Sequence, residues 1–176
     1  MLKDDLRRTY ELVQGGRLKK IIGCYRTPGC HAIVTYRYGQ WVAKQNILIR
    51  IFLEPWYFFQ YHRMRSKWGI EIPRVANIDT GLYIGHHGGI VVSSQTKIGK
   101  NVNLSQGVTI GISGKGDRRG VPVIGNNVYI APGAKVFGKI TIGNNVSIGA
   151  NAVVNQDIPD NSIVVLSPGC VVLDKK

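Results

Sequence analysis

An aliphatic residue recurs every six positions through the second half of the sequence. The series runs Ile72, Ile78, Ile84 and Ile90, then from Val92 to Ile110, then from Ile124 to Val154. Neither the helical period of about 3.6 residues nor simple alternation produces this spacing. Each hexapeptide can form one short strand and one turn, so that three make a triangular coil of about eighteen residues with aliphatic side chains inside. The spacing therefore predicts a parallel β-helix over residues 70–176.

The repeat is interrupted once. The step from Ile110 to Ile124 is fourteen residues instead of six, and the inserted segment, ISGKGDRRGVPV, is rich in glycine and basic residues. Long polar insertions in a regular fold form loops at one edge, and such loops often carry function. We therefore expect a functional loop at about residues 112–123.

Residues 1–69 have a different composition, in which large aromatic, leucine and basic residues dominate. Three helices are predicted there, at Leu6–Gln14, His31–Lys44 and Ile47–Lys67. Thr27-Pro28-Gly29 is predicted to form a turn, and Pro55 to end or kink the last helix. The chain is thus predicted to be mainly β, with an N-terminal helical region at 1–69 and a β-helical domain after it.

The formal net charge is +13, and most of it lies in the N-terminal region. Residues 1–70 contain thirteen Lys or Arg against four acidic residues, which favours an anionic partner. The segment PWYFFQYHRMRSK is aromatic and then basic. We favour a helix that packs on the β-helix or on a neighbouring subunit, and the alternative is a peripheral helix resting on an anionic membrane. No nucleic-acid recognition motif is present, so nucleic acid is not expected as a partner.

Cysteine usage and the first residues bear on the compartment. The sequence has three cysteines, an odd number, and no Cys/His cluster with the spacing of a zinc site. The start, MLKDDLRRTYELVQ, lacks the apolar core of a signal peptide, and no run approaches the ~20 apolar residues that span a bilayer. We expect a cytoplasmic protein, with the inner face of the membrane as the alternative location, that needs no metal.

Two stretches of the β-helical half resemble the serine acetyltransferase group of hexapeptide acyltransferases. They are GIEIPRVANIDTGLYIGHHGGIVVSSQTKIGKNVNLSQGVTIG and VPVIGNNVYIAPGAKVFGKITIGNNVSIGANAVV, and the resemblance includes the helical lead-in YRTPGCHAIVTYRYGQWVAK. It implies a left-handed β-helix, a homotrimer and acetyl-CoA as the acetyl donor. Within that group the sequence looks closest to the branch that acetylates sugars of surface polysaccharides such as colanic acid.

The same resemblance assigns the catalytic pair. The family's general-base histidine falls on His86 and its partner carboxylate, fifteen residues earlier, on Glu71, where the family usually has Asp. A neutral imidazole takes the proton of an attacking hydroxyl, and a carboxylate on the other ring nitrogen fixes the tautomer and stabilises the imidazolium. His87 competes for the role, because neighbouring residues on a strand face opposite sides. The register of the resemblance favours His86.

The resemblance further implies that the pantetheine arm of acetyl-CoA lies between adjacent coils of two subunits. The matching positions are mostly small residues that let the arm approach the backbone: Gly111, Ser113, Gly114, Lys115, Ala131, Gly133 and Ala150. Lys115, Lys135 and Arg119 could meet phosphate groups of the donor. His87, Gly85 and Arg119 border the expected acceptor site.

Departures from the family bear on the acceptor. The branch that acetylates amino acids has Asp directly before the catalytic His, where this chain has Gly85, and a second His after the loop, where this chain has Val121. Their loss removes partners for a small zwitterion. We therefore expect the acceptor to be a sugar hydroxyl of a glycan or lipid-linked glycan. Cys170, where the family often has Arg or Lys, puts one phosphate contact in doubt.

Three other functions remain open. The first is serine O-acetylation in cysteine biosynthesis, against which stand Gly85, Val121, a short N-terminal region and a tail, CVVLDKK, without the family's terminal Ile. The second is a non-catalytic scaffold built on the β-helix, and the paired Glu71 and His86 argue against it. The third is nucleic-acid binding through the basic N-terminal region, for which net charge alone predicts only non-specific, salt-sensitive association.

Overall fold

The computed structural model describes residues 1–166. Four helices come first: α1 (Leu2–Leu12), α2 (Arg17–Arg26), α3 (Pro28–Ala43) and α4 (Ile47–Trp68). Thirteen short strands follow: β1 (Ile70–Glu71), β2 (Asn77–Ile78), β3 (Ile90–Val92), β4 (Lys97–Ile98), β5 (Asn103–Leu104), β6 (Thr109–Gly111), β7 (Val123–Ile124), β8 (Tyr129–Ile130), β9 (Lys135–Phe137), β10 (Thr141–Ile142), β11 (Ser147–Ile148), β12 (Val153–Val154) and β13 (Ile163–Val164). A 3-10 turn at Gly116–Arg118 lies in the predicted loop.

The strands form three parallel sheets whose neighbouring strands come from successive coils. Their orders are β1-β3-β6-β9-β12, β2-β4-β7-β10 and β5-β8-β11-β13. Val123 pairs with Thr141, eighteen residues on, as three hexapeptides require. Lys97 pairs with Val123, twenty-six residues on, because the loop adds eight residues to that coil. The predicted parallel β-helix is therefore confirmed.

The first coil is two residues longer than a regular one. Twenty residues separate the partners in three of its pairs: Ile70–Ile90, Asn77–Lys97 and Tyr83–Asn103. The next pair, Val91 and Thr109, is already back at eighteen. The two additional residues must therefore lie between Tyr83 and Val91, in the turn that carries His86 and His87.

Aliphatic side chains fill the coils, and asparagines shape one corner. Ile78, Ile98, Ile124 and Ile142 are buried and in register on four successive coils. At the following corner, a column of asparagines adopts left-handed backbone angles: Asn101, Asn127, Asn145 and Asn161. Each amide of this column donates to the next, with N···O distances of 2.9 to 3.1 Å. The turns thus use the residue type that tolerates positive φ best after glycine.

The first three helices differ from the prediction. α1 covers Leu2–Leu12 instead of Leu6–Gln14, and α2 occupies a segment for which no helix is predicted. α2 contains Gly23, which weakens a helix on propensity, but an added Cβ there would lie 2.7 Å from Val13 Cγ1 and prevent the packing of α2 on α1. Pro28 begins α3 instead of centring a turn, since its fixed φ suits the first helical position.

α4 also runs through Pro55 without ending there. Proline removes one backbone hydrogen bond from a helix. Pro55 is exposed, so water can reach the carbonyl group that this leaves without a partner. The alternative that Pro55 ends the helix is therefore wrong, and α4 ends at Trp68, followed by Gly69, which adopts a left-handed conformation directly before β1.

The helices cover the open end of the first coil. Ala32, Ile33, Tyr36 and Met64 belong to the same hydrophobic core as the inward residues of the coils. The Tyr36 hydroxyl donates to Ala76 O at 2.6 Å, which ties α3 to the coil. A terminal coil needs such a cover, because its inner face has no neighbour on one side. The division into domains at residue 69 remains a prediction.

A buried ion pair fixes this cover. Asp5 and Arg37 are both buried, and Arg37 Nε donates to Asp5 Oδ2 at 2.7 Å. Asp5 Oδ1 accepts hydrogen bonds from the backbone N–H groups of Gly81 at 2.6 Å and Leu82 at 2.9 Å. Arg37 also donates to Ile78 O at 2.8 Å. α1, α3 and the first coil therefore meet at one carboxylate.

Candidate functional site

His86 and His87 stand in the enlarged turn of the first coil, and both side chains are exposed. Gly88 and Gly89 complete the turn with φ angles of 107° and 66°, which only glycine adopts readily. Gly69 packs against them, since a Cβ on Gly69 would lie 3.0 Å from Gly89 N. The turn thus packs against the end of α4, and its two imidazoles are accessible to solvent and to a substrate.

Glu71 lies in β1, beside the strand that follows the histidine turn. Its Oε2 accepts a hydrogen bond from Arg65 Nε at 3.2 Å, and both side chains are partly exposed. Within residues 1–166, no hydrogen bond or ion pair joins Glu71 to His86, so that their partnership stays a prediction. Burial, and after it the negative charge of Glu71, raise the pKa of Tyr61 to about 12, which keeps that phenol protonated.

The two altered family positions have different surroundings. A Cβ on Gly85 would lie 2.9 Å from the Tyr83 hydroxyl, so a phenol occupies the space that an acidic side chain at position 85 would enter. Val121 is partly buried where the loop returns, next to buried Pro122, and offers no polar group. Tyr83 was not predicted from the sequence, because in the repeat it occupies an ordinary outward position.

Helical residues form one wall beside the histidine turn. Gly29 of α3 touches the backbone of Ile84, two residues before His86. The His31 ring stacks on Trp68 at a centroid distance of 5.2 Å, and its Nε2 lies 2.6 Å from Tyr25 O. The sequence analysis did not include these residues in the site, because only the docking of α3 and α4 on the first coil brings them there.

The loop forms a cleft near the predicted donor positions. Ser113, Gly114 and Lys115 line a cleft of about 570 Å³, together with residues 137–140 of the next coil and Asn155. Ser113 and Gly120 exchange two backbone hydrogen bonds of 3.0 Å, which close the loop into a hairpin. Lys115 and Lys139 give the cleft positive charge, with Asp117 nearby. Arg119 follows the 3-10 turn and is exposed.

The remaining donor positions lie at another corner of the coils. Ala131, Gly133 and Ala150 lie at the corner that also carries the histidine turn, and Gly133 has a φ of 76°. Lys135 lies on the sheet between the two corners, where its Nζ donates to Gly107 O at 2.6 Å and to Thr109 Oγ1 at 3.1 Å.

A single chain keeps the two groups of donor positions apart. Gly107 lies at the corner of the histidine turn and Gly111 at the loop, with one strand between them. Four residues of strand span roughly 13 Å at about 3.3 Å per residue. The structure therefore brings Gly111, Ser113, Gly114 and Lys115 together at one edge, and leaves His86 at the opposite edge of the same sheet.

Metal-ligand clusters and free thiols are the other chemical groups to consider in the described part of the chain. Residues 1–166 contain no group of three or more His, Cys, Asp or Glu that could hold a metal ion. Burial raises the pKa of the Cys30 thiol to about 11, so that it stays protonated and is a poor nucleophile. Cys170 and the tail CVVLDKK lie outside the described residues.

Comparison with known proteins identifies the family. Residues 122–156 match the sequence model of the family described as bacterial transferase hexapeptide (six repeats). A serine acetyltransferase of Staphylococcus xylosus is 38% identical over 174 residues, which cover 97% of this chain and 76% of that protein. A serine acetyltransferase of Synechococcus elongatus is 36% identical over 153 residues, which cover 87% of this chain and 59% of that protein.

Solved structures agree with these relatives. Serine acetyltransferase isoform 3 of Entamoeba histolytica, in complex with cysteine, is 29% identical with a TM-score of 0.76, covering 99% of this chain and 60% of that one. The Neisseria gonorrhoeae serine acetyltransferase, in complex with serine, is 31% identical with a TM-score of 0.75. The match covers 95% of this chain and 66% of that one. The chain thus spans less than two thirds of these solved chains. It shares their left-handed β-helix and the helices before it.

The expectation of a polysaccharide-acetylating enzyme is wrong. The relatives that match most of the chain at 36% to 38% identity are serine acetyltransferases, as are the similar solved structures. The expectation gave two positions, Gly85 and Val121, more weight than the similarity along the whole chain. The chain is an acetyltransferase and belongs to the serine acetyltransferase family.

Proposed function

We propose that this chain transfers the acetyl group of acetyl-CoA to the side-chain hydroxyl of L-serine. The observation that carries the proposal is the 38% identity to a serine acetyltransferase along 97% of the chain, helices and coils included. The similar Neisseria gonorrhoeae structure, which is in complex with serine, supports the same acceptor.

His86 is the proposed general base. Its neutral imidazole takes the hydroxyl proton while the serine oxygen bonds to the thioester carbonyl carbon. The carbon–sulfur bond then breaks, and the leaving thiolate takes a proton from the imidazolium. Such proton transfer typically contributes about 10²–10⁴-fold to the rate. The exposure of His86 in the enlarged turn supports this role, and direct transfer needs no covalent enzyme intermediate.

Glu71 is the proposed partner of His86. Its Oε2 is engaged by Arg65, and a carboxylate has a second oxygen with further acceptor capacity. Oε1 can therefore accept from the imidazole without loss of the Arg65 contact. Arg65 then holds the carboxylate in place, while Glu71 orients the imidazole and stabilises its charged form.

The donor site is proposed to lie between two subunits of a homotrimer. His86 and the loop cleft lie at opposite edges of one sheet, so that a complete site needs the loop of a neighbouring copy beside the histidine turn. Lys115 and Lys139 in the cleft suit the phosphates of acetyl-CoA. Ala131, Gly133 and Ala150 are proposed to lie along the pantetheine arm beside the histidine turn, although the Asn151 side chain already fills the space next to Gly133.

The test is CoA release from acetyl-CoA with L-serine as the acceptor, compared with a panel of sugars and oligosaccharides. We expect saturable turnover with L-serine and none above background with the glycans. Because Gly85 and Val121 lack the polar groups of the family, the Michaelis constant for serine is the informative quantity. A lack of turnover at any serine concentration, with acetyl-CoA binding intact, would overturn the proposed acceptor.

Variants of the histidine turn test the mechanism. His86→Ala should lower kcat by about 10²–10⁴-fold with the oligomer intact, because the general base is lost. His87→Ala is the matched control and should retain most of the activity. Glu71→Gln should cost less than His86→Ala, because it removes orientation and charge stabilisation but leaves the base. Full activity of His86→Ala in the serine assay would exclude the assignment.

A further inference from the structure

α4 has an apolar face that no other described part of the chain covers. Its residues recur every three or four positions on one side of the helix and are 55% to 82% exposed: Leu48, Ile51, Phe52, Trp56 and Phe59, here called the α4 face. The opposite side of the helix packs on the protein through Tyr57 and Met64, which are buried. A surface helix normally has polar residues outward, so apolar residues on both sides indicate a second contact.

The β-helix offers a contrast within the same molecule. Its exposed apolar residues, such as Val75, Val123 and Ile163, are separated from one another, and single exposed residues of this kind are common on soluble proteins. The α4 face is instead continuous over about three helical turns. Contiguous apolar patches of this kind mark contact sites for proteins or membranes.

Charge distinguishes the two kinds of partner. The α4 face ends in Arg63 and Lys67, which both lie over the Trp68 ring, at 5.6 Å and 5.2 Å from its centroid. The only acidic residue of α4, Glu54, is already bonded to Arg50 and Arg74. The face therefore combines large apolar side chains with cations and has no free carboxylate.

The same holds for the surrounding region. Residues 1–70 have thirteen basic against four acidic residues. Asp5 is paired with Arg37, Glu11 with Arg7 and Asp4 with the amino group of Met1. Two copies that met face to face through the α4 face would bring together the same surplus of positive charge and no free acid. An anionic lipid surface supplies both an apolar layer and negative headgroups.

We propose that the α4 face docks on the surface of an anionic lipid bilayer, with Phe52, Trp56 and Phe59 at the acyl boundary and Arg63 and Lys67 among the headgroups. Among residues 1–166, no helix is long and apolar enough to cross a membrane, so that α4 lies along the surface. The contact would hold the enzyme at the membrane and is independent of which acceptor it acetylates.

The test is co-sedimentation of the full chain with two kinds of vesicle, phosphatidylglycerol mixed with phosphatidylcholine and phosphatidylcholine alone. We expect binding to the anionic vesicles that weakens as salt is added. The double variant F52S/F59S should bind at least about tenfold more weakly, since burying one Phe is worth more than the free energy of a tenfold change. Ile163→Ser, an exposed apolar residue on the last coil, is the matched control and should bind like the parent.

Solution size and activity complete the test. Sedimentation equilibrium should give the same oligomer for the parent and F52S/F59S, and acetyl transfer without vesicles should not change. Absence of binding to anionic vesicles, equal binding to both vesicles, or unchanged binding of F52S/F59S would each overturn the proposal. A smaller oligomer in F52S/F59S would also overturn it, in favour of a second copy on the α4 face. None of the results that would overturn the proposal depends on turnover with serine.

Discussion

The coils and the helices that cover them are held together in different ways. In the coils one contact recurs at every level, as in the column where Asn127 hydrogen-bonds to the asparagines above and below it. The helical cover is fixed by contacts that occur once, above all the buried pair of Asp5 and Arg37. Loss of one repeated contact leaves its equivalents in place, whereas loss of a unique contact has no such compensation. Substitutions at the cover should therefore have the larger effects.

The largest effect is expected for Asp5→Ala. The substitution leaves Arg37 charged and buried without its partner, and removes the acceptor for the N–H groups of Gly81 and Leu82. Removal of one member of a buried ion pair typically costs about 3–5 kcal/mol. Urea unfolding of the parent and the variant measures the difference in the free energy of unfolding.

Glu11→Ala is the control for Asp5→Ala. Glu11 also pairs with an arginine of the N-terminal region, Arg7, but both side chains are exposed. Exposed pairs contribute little, so the free energy of unfolding should hardly change. Equal effects of the two substitutions would show that the cover does not depend on the buried pair, and would remove the distinction between unique and repeated contacts.

The two regions also differ in how far the sequence predicts them. The coil architecture follows from the six-residue period, because every coil needs the same inward side chains. The enlarged histidine turn escapes that pattern, since Ile84 and Ile90 still stand six apart and only the pairing with the next coil reveals two additional residues. Asp5 and Arg37 are thirty-two residues apart in the sequence, and no periodic signal links them.

The candidate site likewise contains some residues that the sequence could suggest and others that it could not. His86 and the loop positions were assigned from the resemblance, which extends over the coils on both sides of them, and these assignments stay predictions. Tyr83 and His31 could not, because their places beside the turn depend on how the coil and α3 pack. The acceptor was predicted wrongly from Gly85 and Val121, which shows that two substituted positions are weak evidence against similarity along the whole chain.

Gly29→Ala tests the contact between cover and coil at the site itself. An added Cβ would collide with the carbonyl oxygen of Ile84, a backbone atom that cannot rotate away. We expect a loss of about 1–3 kcal/mol in the free energy of unfolding, as for overpacked positions. The serine assay should also show a lower kcat, because Ile84 precedes His86 by two residues.

Gly16→Ala provides the comparison for Gly29→Ala. Gly16 precedes α2, has nothing within 4 Å of an added Cβ and has a φ of −70°. Gly16→Ala should lower the free energy of unfolding by less than about 1 kcal/mol, because alanine is a poorer helix cap than glycine, and should leave kcat unchanged. A fully active and stable Gly29→Ala would mean that α3 can move away from the coil without disturbing the histidine turn.

The smallest effect is expected in the asparagine column of the coils. Asn127 has a φ of 56°, donates to Asn145 at 3.0 Å and accepts from Asn101 at 3.1 Å. Asn127→Gly keeps the backbone conformation and loses only exposed hydrogen bonds, which water largely replaces. Asn127→Ala loses the same bonds and keeps a Cβ in the left-handed region without the short polar side chain that lets Asn tolerate it, a conformation that costs about 1–2 kcal/mol. Urea unfolding should therefore rank the parent close to Asn127→Gly, with Asn127→Ala less stable by about 1 kcal/mol.

If both variants lost the same amount of unfolding free energy, the side-chain ladder and not the backbone angle would account for the asparagines. If either lost as much as Asp5→Ala, a repeated contact would matter as much as a unique one, and the contrast between coils and cover would fail.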